Sequence, residues 1–132
     1  MNDLKLLSCA IDAMKQSYCK YSHFAVGAAL LCADGSVYTG CNIENSAFSA
    51  TVCAERTAFF KAISDGKRDF KMIAVVGGKN NDVSRPCMPC GVCRQVMAEF
   101  CDKNFKIITV KDGTVQSHTL CELLPHAFED ML

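Results

Sequence analysis

Three cysteines at two separate places set the strongest demand on this chain. Cys53 lies in the stretch Thr-Val-Cys-Ala-Glu-Arg-Thr-Ala-Phe-Phe, Thr51 to Phe60, two residues before Glu55. Cys90 and Cys93 lie in Pro-Cys-Met-Pro-Cys-Gly-Val-Cys-Arg-Gln, Pro86 to Gln95. Zinc accepts cysteine sulfur readily and prefers four tetrahedral ligands. Three cysteines leave one position open for water, which is what separates a catalytic zinc from a structural one. The fold must therefore deliver both stretches to one point, with a carboxylate beside the metal.

The chain holds ten cysteines, so the redox compartment matters. The N-terminus, Met-Asn-Asp-Leu-Lys-Leu-Leu, does not read as a signal peptide. No stretch approaches the ~20 apolar residues of a spanning helix. A cytoplasmic location is expected, with no membrane partner. A reducing compartment turns the reading of the thiols from disulfides to metal or catalysis. Fourteen basic and fourteen acidic residues cancel, and no basic cluster stands out. That argues against a nucleic-acid partner, which needs a positive footprint. It leaves open an uncharged nucleoside. A length of 132 residues, half of them apolar, suits one domain over residues 1–132.

Residues 3–16 read as a helix capped by Asn2, with Leu4, Leu7, Ile11 and Met14 on one apolar face. Residues 25–32 and 37–43 read as strands about an Asp34-Gly35 turn, antiparallel because the link is so short. Residues 53–65 read as a helix stopped by Gly66, and 71–76 as a strand ending in Gly77-Gly78. A second helix is expected over 90–101, following Pro89, and a strand over 105–110. Strand, helix, strand order implies parallel strands joined by right-handed crossovers. Asp112-Gly113 is the strongest hairpin signal, so the last strand, about 114–118, runs antiparallel to its predecessor. The sum is an α/β chain: a mixed five-stranded sheet with helices on both faces.

Cys90 and Cys93, three apart at a helix start, present both sulfurs to one side, where the helix dipole favours thiolates. Cys87 complicates the reading. Cys87 with Cys90 is as good a pair on spacing as Cys90 with Cys93, and each pair follows a proline; Gly91 and the helix following Cys93 favour the second pair. A closed four-cysteine structural site remains open at this level. Cys53 and Glu55 share a site only if Cys53 lies at the helix cap, where the backbone is not yet helical. Otherwise Glu55 is a first-turn carboxylate that suits the dipole. Three thiolates on Zn²⁺ leave a net negative charge, which two helix N-termini and a hydrogen bond from Arg56 to a ligand sulfur can offset. Asn42 and Glu44, two apart in extended chain, leave the same face and can grip vicinal hydroxyls. The plainer reading of that pair is a solvated strand end.

These residues resemble the cytidine deaminases of the small homotetrameric kind. The likeness rests on Cys53-Ala54-Glu55-Arg56, on Pro89-Cys90-Gly91-Val92-Cys93-Arg94-Gln95 and on Asn42-Ile43-Glu44-Asn45. It extends to Phe24 through Leu31 and to the tail from Leu123-Leu124-Pro125 to Phe128, so that it spans nearly the whole chain. The zinc motifs alone define only a deaminase superfamily; the Asn-Ile-Glu-Asn stretch narrows it.

The resemblance implies a three-layer fold and one zinc per chain held by Cys53, Cys90 and Cys93. It implies hydrolytic deamination of cytidine and 2′-deoxycytidine to the uridines and ammonia, as in pyrimidine salvage. Glu55 moves a proton from the attacking water to N3 of the base and then to the departing amine. Asn42 and Glu44 take the ribose, the Ala54 N–H meets the base carbonyl, and Phe24 flanks the base. Phe128 reaches a neighbouring subunit's pocket in a homotetramer, an assembly to which the apolar tail with Phe128 and Met131 lends support. Phe48 stands where the family often has Tyr, and Met88 where a Ser commonly precedes Pro89.

Three rivals are distinguishable. A deaminase of bases in tRNA resembles this chain at the zinc but places a helix between its last strands, for which Asp112-Gly113 leaves no room. A deaminase of a cytosine-containing antibiotic is not expected to keep the Asn42/Glu44 pair. A non-enzymatic zinc module predicts that Cys87 binds metal and that Glu55→Gln changes nothing.

Overall fold

The computed structural model of the chain describes residues 1–129; Met131 lies outside them. Helix α1 (Asp3–Ala13) runs into a 3-10 turn (Met14–Gln16) and is followed by β1 (Ala25–Cys32) and β2 (Val37–Cys41). Next come α2 (Ala54–Ser64), β3 (Phe70–Gly78), α3 (Gly91–Phe100), β4 (Lys106–Lys111), β5 (Thr114–Thr119) and the short α4 (Leu120–Leu123). The five strands form one sheet in the order β2-β1-β3-β4-β5. β1 is antiparallel to both β2 and β3, so β2 and β3 are parallel with β1 between them. β3 and β4 are parallel, and β4 and β5 antiparallel.

The sheet is covered on both faces, and the two-residue period of its strands decides which side chains meet which helix. Ala28, Leu30, Ile73, Val75 and Ile107 pack beneath Ala58 and Phe59 of α2 and Met97 of α3. Their neighbours Ala29, Leu31, Ala74, Val76 and Ile108 point the other way, onto α1. The result is three layers. Asp112 and Gly113 both have positive φ, 49° and 78°, as the two-residue hairpin between β4 and β5 requires. Among the described residues, no helix is long and apolar enough to cross a membrane.

Helix α1 corrects the sequence reading. Asn2 caps it as expected, its Oδ1 accepting the Lys5 N–H at 2.9 Å. Its buried face, however, is Leu6, Leu7, Ala10 and Met14, while Leu4 is 68% and Ile11 41% exposed. The reason is a close approach of backbones. A Cβ on Gly27 of β1 would lie 2.0 Å from the Ala10 carbonyl oxygen. The helix therefore turns a small residue to the sheet, and a stripe counted on large side chains misses it. β3 also runs on through Gly77 and Gly78 rather than ending before them.

A second close approach positions the chemistry. A Cβ on Gly40 of β2 would meet the Ala54 carbonyl oxygen at 2.3 Å and the Ala58 nitrogen at 2.6 Å. Both are backbone atoms in the first turns of α2, so no side chain can swing away. Gly40→Ala is expected to lift the start of α2 from the sheet and cost about 3 kcal/mol, the upper end of overpacking penalties. Denaturant unfolding measures this; an unchanged midpoint would show that α2 has room to spare.

The ends of the sheet differ. α2 and α3 both begin at the end where β2 and β3 finish. The turns at 33–36 and 65–69 lie at the other, since Cys32 pairs with Phe70 there.

Candidate active site and zinc centre

Cys53 and Cys90 occupy equivalent places. Each is the residue just before a helix and each is extended, with φ −77°, ψ 157° at Cys53 and φ −69°, ψ 169° at Cys90. This is the cap geometry that lets Cys53 and Glu55 face one site. Cys93 follows Cys90 one turn on, in the first turn of α3. The sulfurs of Cys53, Cys90 and Cys93 lie within 4.8 Å of one another. Cys90 Sγ is 3.6 Å from both Cys53 Sγ and Cys93 Sγ. Tetrahedral zinc with Zn–S of ~2.3 Å sets its sulfurs about 3.8 Å apart, so the cluster fits the ion with little adjustment. Among the described residues it is the one such group of three potential ligands.

The electrostatics favour a thiolate at Cys53. A hydrogen bond with the Cys93 thiol, helped by Arg56, lowers the Cys53 thiol to about 5. The same bond pushes Cys93 upward. Arg56 Nη2 donates to Cys53 Sγ at 3.4 Å, and the sulfur in turn raises the pKa of the guanidinium. Among the described residues, Arg56 Nε is buried without a hydrogen-bond partner.

Cys87 stands outside this group. Its N–H donates to Thr109 Oγ1 at 3.2 Å, and its sulfur packs over bare Gly77, beside the Phe24 ring. Burial pushes its thiol up to about 12. Spacing left the two Cys-x-x-Cys pairs equal. The loop from β3 to α3 separates them, because it commits the Cys87 backbone to β4.

Glu55 sits in the first turn of α2 and is only 3% exposed. Burial pushes its carboxyl up to about 7, the charge on Cys53 adding to the effect. Glu55, Cys53, Cys90 and Ala54 line a cleft of about 370 Å³ together with Phe24, Asn42 and Glu44. Ser22, Cys87 and Met88 line it as well. Three of the sequence-expected site residues do not line it. Cys93 is buried within the sulfur cluster. Arg56 lies behind the sulfurs. Phe128 is 71% exposed, its carbonyl accepting from Gln95 Nε2 at 2.9 Å, and it does not line this cleft.

Asn42 and Glu44 lie just past β2, on either side of Ile43, which bridges to both Tyr18 and Val52. Their polar atoms are largely engaged. Asn42 Oδ1 accepts from the Val26 N–H at 2.9 Å and from Ser17 Oγ, and its Nδ2 donates to the Phe24 carbonyl at 2.8 Å. Glu44 accepts from the N–H groups of Tyr21 and Ser22, at 3.0 and 3.1 Å, and from Ser22 Oγ. These bonds hold its carboxyl below the usual range, the Ser22 hydroxyl contributing most. An amide nitrogen carries two donors and a carboxylate about four acceptor positions. One N–H and one lone pair therefore remain, a donor beside an acceptor, which is what a hydroxyl requires. The pair also fixes the loop that carries Phe24. Sequence reasoning missed Ser22, whose hydroxyl joins the Phe24 N–H to Glu44. A lone serine in a polar loop gives no signal of this.

Comparison with known proteins agrees with the geometry. Residues 1–109 match the family described as cytidine and deoxycytidylate deaminase zinc-binding region. The cytidine deaminase of Sporosarcina psychrophila is 54% identical, over 94% of this chain and 89% of that one. That of Halalkalibacterium halodurans is 52% identical, over 99% and 98%. The crystal structure of cytidine deaminase from Burkholderia pseudomallei superposes with a TM-score of 0.89 at 41% identity, covering 97% of this chain and 100% of that one. The sheet order, the three-sulfur cluster and these likenesses lead to one conclusion: the chain belongs to the cytidine and deoxycytidylate deaminase family.

Proposed function

We propose that the chain hydrolyses cytidine and 2′-deoxycytidine to uridine and 2′-deoxyuridine with release of ammonia, as a cytoplasmic enzyme of pyrimidine salvage. The observation that carries this is the buried carboxyl of Glu55 beside three convergent sulfurs, on a cleft also lined by Asn42 and Glu44, which offer a donor and an acceptor for a hydroxyl. Cys53, Cys90 and Cys93 would hold the zinc, which would supply Lewis-acid chemistry at the reacting water. The chain does the rest. Glu55 accepts a proton from the water whose oxygen bonds to C4 and donates it to N3 of the base. It then takes a second proton from the new C4 hydroxyl and passes it to the amine as the C4–N bond breaks. A carboxyl that burial lifts above its ordinary range is suited to both directions of transfer. The Ala54 N–H, in the first turn of α2, has no intrahelical partner and is free for the base carbonyl. Phe24 offers its face to the base, and Asn42 and Glu44 hold the ribose.

In this reading residues 1–132 form one domain, and four chains assemble so that Phe128 of each enters a neighbour's cleft. Sedimentation should show a tetramer; a stable monomer at micromolar concentration would remove Phe128 from the site.

Ammonia release from cytidine, deoxycytidine, adenosine and cytosine tests the substrate class. Turnover of the two cytosine nucleosides alone is expected. Turnover of free cytosine at the same rate would show that the Asn42/Glu44 wall contributes nothing. Ser22→Ala removes one hydrogen bond to a charged group at a solvent-exposed place, about 1 kcal/mol. It should raise KM for cytidine roughly five-fold and leave kcat nearly unchanged, since the bond orients Glu44 rather than the reacting atoms. Equal KM in the variant would show that Glu44 is held well enough by its two backbone donors.

A further inference from the structure

Arg94 touches neither the cleft nor the three sulfurs, yet it joins two parts of the chain that matter to both. Its Nε donates to the Pro89 carbonyl at 2.7 Å. Its Nη1 donates to the Leu123 carbonyl at 2.6 Å. Pro89 is fully buried and immediately precedes Cys90. Leu123 is the last residue of α4. We propose that Arg94 is a positioning residue for the zinc centre: it ties the C-terminal segment to the turn that presents Cys90, so that the seating of this segment sets how firmly the cluster holds its metal.

The argument starts from what each partner lacks. α4 has only four residues, too few to be stable as an isolated helix. Its start is fixed by a capping box between Thr119 and Glu122. Its end is not self-sufficient, because the last carbonyls of a helix have no partner within it. Arg94 supplies one to Leu123, and Gln95 supplies another to Phe128 further along. The segment after β5 is therefore laid against α3 by two consecutive α3 side chains. The Cys90 side has the complementary need. The sulfur of Cys90 is aimed by an extended cap whose preceding carbonyl belongs to Pro89. Rotation of that carbonyl moves the cap, and Arg94 holds it. A guanidinium presents its donors in a rigid planar fork, so one side chain fixes both carbonyls at once; a lysine ammonium cannot span them.

The inference deepens the zinc reading and rests on it. The test is the rate at which zinc-loaded protein gives up its metal to a colorimetric chelator, with the melting temperature followed in parallel. Arg94→Ala should release zinc roughly ten-fold faster or more, the scale seen when partners behind a ligand are removed. Arg94→Lys should fall between. A chain ended after Glu122 should reproduce Arg94→Ala, and the two changes together should exceed neither alone. Leu6→Ala, in α1 and buried against the opposite face of the sheet, should lower the melting temperature and leave zinc release unchanged.

Release at the wild-type rate in Arg94→Ala overturns the proposal. So does full additivity of the two changes, or equal acceleration in Leu6→Ala. If the shortened chain does not fold, the comparison of Arg94→Ala, Arg94→Lys and Leu6→Ala decides alone. A wild type that binds no zinc would instead refute the cysteine site itself, and this inference with it.

Discussion

Glu55→Gln should retain fold and zinc while kcat falls by on the order of 10²–10⁴, the usual worth of a well-placed acid/base. Glutamine keeps the shape of the side chain and loses only the ability to take and return a proton. The site makes this a clean experiment, because Glu55 is almost fully enclosed at the start of α2. Its burial is also a cost. A carboxyl whose pKa is pushed up by desolvation is one the folded protein would hold more easily as a neutral group. The melting temperature of the variant should therefore match or exceed that of the wild type. Turnover within ten-fold of wild type, in protein with full zinc content, would show that another group moves the proton.

The cysteines give the second large effect. Alanine at Cys53, Cys90 or Cys93 should each yield protein purified without stoichiometric zinc. Cys87→Ala should keep it. A cluster of three has no spare ligand, and the geometry places Cys87 elsewhere, its N–H bound to Thr109 and its sulfur over Gly77. Metal content by mass spectrometry reads the result, and anomalous scattering at the zinc edge identifies the sulfurs at ~2.3 Å. Loss of zinc from Cys87→Ala would revive the closed four-cysteine site. Retention in Cys93→Ala would move the centre toward the other Cys-x-x-Cys pair.

That last ambiguity shows where the sequence stops being legible. Elements announced by local chemistry were readable: the Asn2 cap, the Asp112-Gly113 hairpin and the helix starts at Cys53 and Cys90 all stand within a residue or two of their signals. The ligand set was readable as a type, because three thiols and a carboxylate at two helix starts leave few other chemistries. What failed depends on contacts across the sequence. The exposed Leu4 and Ile11 could not be told from buried Leu6 and Ala10 without knowing that Gly27 lies under the helix. The engagement of Asn42 and Glu44 is set by Ser17, Tyr21 and Ser22, which only the folded loop brings near. Spacing put both side chains on one face and was silent on how little bonding capacity they have left. Arg94 stands in a motif that carries the family likeness, but its bonding gave no signal, since its acceptors are backbone carbonyls.

The unequal ends of the sheet bear on how such a chain can change over time. Everything that handles metal or base gathers where α2 and α3 begin. The opposite end is made of turns whose glycines, Gly35 and Gly66, have open space where a side chain would be. Residues added there meet no backbone of the cleft, and doubling the length of a flexible loop costs only about 0.6 kcal/mol. That end is where insertions, fused modules or surface tags can accumulate without disturbing the chemistry. The start of α2, which carries Cys53 and Glu55, tolerates almost none, since its backbone is already in contact with the sheet at Gly40.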